Sequence, residues 1–190
     1  MRTKLSITAG MIALGALALV AIPTSGVAED DLPLNMQANG GMQMGGRTSM
    51  LDLTVTEWTT PEEREHLIKT LVNDGQEALR QALQEVSTKG RVNRRGQMGI
   101  NWRYAFQYEK SGGRTIVMAS DRPINAEEMI DRTITQRDFS ITLAIIELDE
   151  ENRGAGTLFL GATFAVGADG RLEMTQAGTH GIHLGNVRVR

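Results

Sequence analysis

Apolar and polar residues alternate one by one at Leu51, Leu53 and Val55, with polar residues between them. Successive side chains of a strand point to opposite faces, so this pattern predicts a half-buried strand. Similar segments follow after residue 100, separated by turn residues such as Ser111-Gly112-Gly113. These segments predict further strands linked by hairpins, and hairpin-linked strands pair antiparallel.

Helical spacing replaces the alternation between residues 60 and 86. Thr60 is suited to cap a helix that begins at Pro61, and Glu63 completes a Thr-x-x-Glu capping box. Apolar stripes lie on both sides of Asn73-Asp74-Gly75. The stripes predict two short amphipathic helices that pack on the sheet. Their members are Leu67, Ile68, Leu71 and Val72 in the first helix and Ala78, Leu79, Ala82, Leu83 and Val86 in the second.

The order of these elements predicts a single α+β domain over residues 50–190. We expect an antiparallel sheet of about six to seven strands, with two short helices inserted after the first strand. Residues 29–49 contain pairs of glycine with Asn and Gln between them, a composition that resists packing. We therefore predict that residues 29–49 form a disordered linker.

The first 28 residues have the layout of a secretory signal peptide. Arg2 and Lys4 precede an apolar run, Leu5 to Ile22, and small residues ending at Ala28 follow it. An uncleaved membrane anchor is the alternative, because the run is nearly long enough to span a bilayer. Cleavage predicts an exported protein, periplasmic or extracellular, with no membrane span in its mature form.

Composition excludes several functions. The chain has no cysteine, so it has neither disulfides nor a thiol nucleophile. Its net charge of −3 becomes −5 if residues 1–28 are removed, because that segment holds two basic residues and no acidic one. An acidic chain of this kind is not expected to bind nucleic acid, which attracts basic surfaces.

No motif with a known chemical mechanism is present. The chain has no Gly-x-Ser-x-Gly, phosphate-binding loop or dinucleotide fingerprint. His180 and His183 have a spacing that places them on opposite faces of a regular strand, which does not suit one metal ion. We predict no cofactor, no metal site and no catalytic residue, and leave open whether the protein is an enzyme.

Four of the eight aromatic residues lie within seven positions, at Trp102, Tyr104, Phe106 and Tyr108. Unbroken alternation over residues 100–109 would place all four on one face of a strand. That face is either the floor of the core or the wall of a site for a small apolar ligand, since Trp and Tyr carry polar tips that need partners when buried. The four aromatics are our candidate ligand-binding residues.

The segment GGRTIVMASDRPI, residues 112–124, together with the aromatic strand before it and HLGNVRVR at the end, resembles an uncharacterised family of exported bacterial proteins. The resemblance implies an exported bacterial protein of one domain and transfers no catalytic residue or cofactor. The order of strand, two helices and strands is also similar to the helix-grip arrangement of domains that bind lipids, although a closing C-terminal helix is missing here.

The leading functional hypothesis is a non-enzymatic module that binds a small apolar ligand or another envelope protein. A hydrolase-like enzyme with an unrecognised site and a purely structural envelope protein are the alternatives. The first hypothesis predicts a cavity or an exposed apolar patch beside the four aromatics, and the second predicts converging histidines or carboxylates.

Overall fold

The computed structural model describes residues 32–42, 48–124, 129, 141–166, 172–177 and 181–190. They form one helix and ten strands: β1 (Leu34–Met42), β2 (Ser49–Val55), α1 (Pro61–Glu85), β3 (Gly90–Arg94), β4 (Ile100–Trp102), β5 (Tyr104–Lys110), β6 (Gly113–Ala119), β7 (Ile141–Asp149), β8 (Arg153–Val166), β9 (Leu172–Ala177) and β10 (Gly181–Val189).

All the strands belong to one antiparallel sheet, with the order β4-β3-β2-β1-β10-β8-β7-β6-β5 and with β9 paired to β8. The two ends of this order, β4 and β5, are consecutive in the chain and are separated only by Arg103. Arg103 N donates to Ala119 O of β6 at 2.8 Å, while Lys89 N beside β3 donates to Trp102 O at 2.8 Å. The sheet therefore curls into a nearly closed barrel.

Apolar side chains line the inside of the barrel. Every strand on the path from β4 to β5 contributes to this interior core, and residues of the segment after β6 join it. The alternation predicted for β2 is confirmed, because its apolar residues point inward while Asp52 and Thr54 remain partly exposed. The fully buried members with the largest side chains include Trp102, Leu51, Leu53, Ile116, Met118, Ile124, Met129, Ile146 and Leu148.

A second core lies between α1 and the outer face of the barrel. Leu67, Leu71, Leu79 and Leu83 of α1 are buried against outward-facing residues of β5 to β8. The outward-facing residues are Tyr104, Tyr108, Val117, Ala119, Ile141, Leu143, Ile145, Phe159, Ala162 and Phe164. We call this surface the covered wall, and the outer faces of β10, β1, β2, β3 and β4 the open wall.

The helix start predicted from the sequence is confirmed. Thr60 Oγ1 accepts from Glu63 N at 3.2 Å, and Glu63 Oε2 accepts from Thr60 N at 2.9 Å, so the capping box is complete. The predicted break between two helical segments is present at Gly75, whose φ of 86° and ψ of −172° are not helical and favour glycine. The two segments follow each other without a loop, so α1 is described as one helix with a kink at Gly75.

Two further predictions need correction. The expected linker, residues 29–49, contains β1, which pairs with β2 on one side and β10 on the other. The domain therefore begins before residue 50. The described residues form ten strands where six to seven were expected, so this part of the chain is mostly β with one helix rather than a balanced α+β arrangement. The proposed signal peptide lies outside the described residues.

Candidate functional site

The strand that carries the candidate aromatics bends at Arg103, which belongs to neither β4 nor β5. Trp102 points into the interior core before the bend, and Ala105 does so after it. Tyr104 and Tyr108 face α1 on the covered wall. Uninterrupted alternation would have placed Trp102 and Tyr104 on one face, so the prediction of a single aromatic face was wrong. The bend shifts the alternation by one residue and divides the four aromatics between the two faces.

Trp102 is the aromatic that belongs to the inside of the barrel. Its side chain is fully buried, with 0% exposure, and its indole Nε1 has no hydrogen-bond partner among the described residues. Trp58 packs against the same interior core, and its Nε1 is also buried and unpartnered in the described part of the chain. Two indole N–H groups, one inside the barrel and one at its margin, therefore have no hydrogen-bond acceptor among the described residues.

The aromatics on the other side of the bend contact one another and the helix. The Tyr104 and Phe106 rings lie 6.5 Å apart between centroids, and the Arg64 guanidinium of α1 sits 4.8 Å from the Phe106 ring centroid. Burial raises the pKa of Tyr104 to about 12, partly offset by the positive charge of Arg64. These contacts join β5 to α1 and do not enclose a cavity inside the barrel.

Lys89 forms a buried ion cluster beside the start of α1. Its side chain has 0% exposure, and its Nζ lies 2.5 Å from Glu57 Oε1 and 2.9 Å from Glu63 Oε1. Glu63 is the same residue that closes the capping box through its other oxygen. One carboxylate therefore joins the first turn of the helix to the residue that precedes β3, which fixes the entry of α1 onto the barrel.

The charges of this cluster stabilise one another. Burial disfavours the Lys89 ammonium, but hydrogen bonds and charge attraction from Glu57 and Glu63 outweigh it and raise the pKa of Lys89. Burial likewise opposes ionisation of Glu63, yet hydrogen bonds from Thr60 N and Lys89 hold the pKa of Glu63 below its ordinary value. A lysine held protonated has no free electron pair, so the cluster serves as an ion pair and not as a nucleophile.

Arg103 anchors the other end of the helix. Its Nη1 donates to Val86 O, the carbonyl that follows α1, at 3.0 Å, and its Nε lies 3.4 Å from Asp121 Oδ2. Asp121 follows the end of β6 by two residues and forms an ion pair with Arg103. The bend that divides the aromatics is therefore also the point where the helix end is fastened to the barrel.

The two histidines that the structure describes lie on different elements of the fold. His66 is exposed on α1 and His183 is exposed on β10, while His180 lies outside the described residues. No group of three or more potential metal ligands occurs among the residues that the structure describes. In that same part of the chain, no helix is both long enough and apolar enough to cross a membrane.

Sequence reasoning included Trp102 among its candidates and missed both Trp58 and the Lys89 cluster. The link between Lys89 and Glu63 joins residues far apart in the chain, and only the fold brings them together. Comparisons with known proteins add nothing to this site, because no family model, curated protein or solved structure matches the chain.

Proposed function

We propose that this protein is an exported bacterial, non-enzymatic binding module that holds a small, mainly apolar ligand inside its barrel. The observation that carries the proposal is the indole N–H of Trp102, which is fully buried in the interior core and has no partner among the described residues. A ligand that presents a hydrogen-bond acceptor to this N–H would pair the donor. The proposed export follows from the signal-peptide pattern in residues 1–28.

The indole of Trp102 carries a single polar group. Its N–H can only donate, and a buried donor without a partner costs about 1–3 kcal/mol. Folded proteins rarely retain such groups without a reason, and an occupied ligand site is one of those reasons. Binding would recover part of this cost, which gives a ligand with an acceptor an advantage over a pure hydrocarbon.

The surroundings of Trp102 favour an apolar ligand. The interior core around it consists of aliphatic side chains and methionines contributed by strands on all sides of the barrel. The indole of Trp58, at the margin of the same core, offers a second donor. We therefore infer a ligand with an apolar body and one or two acceptor oxygens, such as a carboxylate or an ester.

Native mass spectrometry of the protein purified from the envelope of its own cells tests this proposal. We expect a small additional mass that disappears on denaturation. Trp102→Phe keeps an aromatic ring and removes the N–H, so it should reduce this mass strongly. Tyr108→Phe, an equally small change on the covered wall, should leave the mass unchanged.

A wild-type protein without an additional mass would contradict the proposal, and so would equal retention by Trp102→Phe. Titration with dodecanoate, followed by tryptophan fluorescence, provides a second readout on the purified protein. Saturable binding by the wild type and by Tyr108→Phe, but weaker binding by Trp102→Phe, is the expected result. Circular dichroism of each variant checks that the fold is kept.

A further inference from the structure

The ion pairs between described residues are unevenly distributed. In the described part of the chain, all of them involve basic residues of α1, its neighbouring segments or the covered wall. These residues are Lys69, Arg80, Lys89, Arg103 and Lys110. Arg64 lies over Phe106 on the same side. The basic residues beneath and along the helix are thus largely committed to partners.

The arginines of the open wall are not held in ion pairs with described residues, although Arg190 Nη2 donates a hydrogen bond to Gln37 Oε1. Arg91, Arg188 and Arg190 are exposed there, and none of them forms an ion pair with a described residue. Asp52 is the acidic residue that the described open wall presents, and its Oδ1 accepts from Gln37 Nε2 at 3.2 Å. The wall therefore has a local positive charge, although the whole chain has a net charge of −3.

Strand register aligns these groups in a row across the open wall. Arg190 N donates to Asn35 O at 2.9 Å, Asn35 is opposite Thr54, and Thr54 is opposite Arg91. Asn101 completes the row as the partner of Arg91. Three strand spacings separate the arginines, or about 14 Å between their backbones. Amide and hydroxyl side chains occupy the interval between the two guanidinium groups.

We propose that the open wall binds an acidic polysaccharide. Arg91 and Arg190 would pair with carboxylates of the polymer, because a guanidinium matches a carboxylate with two parallel hydrogen bonds. Asn35, Thr54 and Asn101 would bind sugar hydroxyls, which both donate and accept, as amide and hydroxyl side chains do. This inference concerns the outside of the barrel and does not depend on a ligand within it.

The chemistry of the wall favours a polysaccharide over the other anionic partners. Protein interfaces are centred on buried aromatic and apolar anchors. Stable attachment to a membrane surface also uses apolar side chains in addition to charge. The described open wall offers Met50, at 40% exposure, as its exposed large apolar residue. A hydrated, hydroxyl-rich and negatively charged polymer fits a surface of arginine, amide and hydroxyl groups better than either alternative.

Binding of polygalacturonate to the full chain at low ionic strength, measured by calorimetry, tests the inference. Neutral dextran is the polymer control. Arg91→Gln and Arg190→Gln should each weaken binding about tenfold, because one hydrogen-bonded charge pair contributes about that factor. Lys69→Gln removes the same charge from an exposed position on α1 and should leave binding unchanged.

Four results would overturn the inference. They are no binding of polygalacturonate by the wild type, equal binding of dextran, equal weakening by Lys69→Gln, and binding to phosphatidylglycerol vesicles that requires Arg91 while polygalacturonate is not bound. The last result would assign the wall to a membrane surface. Since Arg91 is exposed, its replacement is not expected to unfold the protein.

Discussion

The covered wall and the open wall are built from the same sheet, yet they differ in nearly every physical property. On the covered wall, outward residues such as Ile141 and Leu143 are apolar and buried beneath α1. On the open wall, the outward positions of β1 to β4 are mostly Asn, Gln, Thr and Arg, with Asp52 and the exposed Met50 among them. The strands of the covered wall are therefore buried on two faces, and those of the open wall on one.

This difference explains where the stability of the outer surface is concentrated. Burial of apolar area contributes about 25 cal/mol per Å², whereas exposed polar pairs contribute little. The helix is also fixed at both ends, by Glu63 with Lys89 and by Val86 with Arg103. We infer that α1 and the covered wall form one stable unit, and that the outer face of the open wall contributes less to stability.

The largest expected difference between the walls is the loss in the free energy of unfolding when an outward-facing residue is replaced. Ile141 of β7 has 0% exposure beneath α1, so Ile141→Ala should lower the free energy of unfolding by about 2–5 kcal/mol. Asn101→Ala on the open wall should change it by less than about 0.5 kcal/mol. Urea unfolding of both variants measures the difference. Equal losses would mean that the helix adds no stability to the wall beneath it.

The ion cluster at the helix start provides the second comparison. Lys89→Met keeps an apolar stem and removes the ammonium, which leaves Glu57 and Glu63 without their shared partner. We expect a loss of about 1–3 kcal/mol at neutral pH, because the carboxylates are only partly buried. Lys69→Met breaks an exposed pair with Glu65 and should have no measurable effect. Comparable losses would show that burial does not strengthen the Lys89 cluster.

Acid titration sharpens this second prediction. Because the pKa of folded Glu63 lies below its ordinary 4.5, the ionised carboxylate contributes stability above that pH. The contribution is lost as the pH falls through the lowered pKa of the folded protein. Stability measured below pH 4.5 should therefore decline more steeply in the wild type than in Lys89→Met, which keeps the hydrogen bond from Thr60 N but lacks the second partner that lowers this pKa. Parallel declines would exclude Lys89 as a cause.

Local signals in the sequence predicted local structure well. The capping box of Thr60 and Glu63, the alternation in β2 and the hairpin at Ser111-Gly112 are all present in the fold. Each depends on residues that are close together in the chain, so propensity and periodicity are sufficient to identify them. The buried leucines of α1 also match the predicted stripes, although Val72 is exposed.

The failures came from contacts between distant residues. Glycines made β1 resemble a linker, but a Cβ at Gly40 would lie 2.7 Å from Leu51 Cδ1, so glycine serves close packing there. The bend at Arg103 is fixed by bonds to Ala119 and Val86, which composition does not reveal. The candidate site was divided for the same reason, because one shifted residue reverses the face of every aromatic after it.

The smallest expected difference concerns two arginines, one on each side of the molecule. Arg64→Gln removes the cation above Phe106 on the covered side and should lower the free energy of unfolding by about 0.5–1 kcal/mol. Arg91→Gln on the open wall removes an arginine that forms no ion pair with a described residue, so stability should be unchanged. Urea unfolding of each variant beside the wild type resolves such differences when the free energy of unfolding has the same dependence on urea concentration in both proteins.

Measuring both stability and polysaccharide binding for these two variants distinguishes an arginine that stabilises the fold from an arginine that binds the polymer. Arg64→Gln should reduce stability and leave the binding of polygalacturonate unchanged, and Arg91→Gln should do the reverse. A destabilised Arg91→Gln would mean that the open wall contributes to the fold through this side chain. The proposed division, in which the covered wall stabilises the fold and the open wall binds the polymer, would then be wrong at Arg91. This is the residue at which we expect the clearest contrast with Arg64.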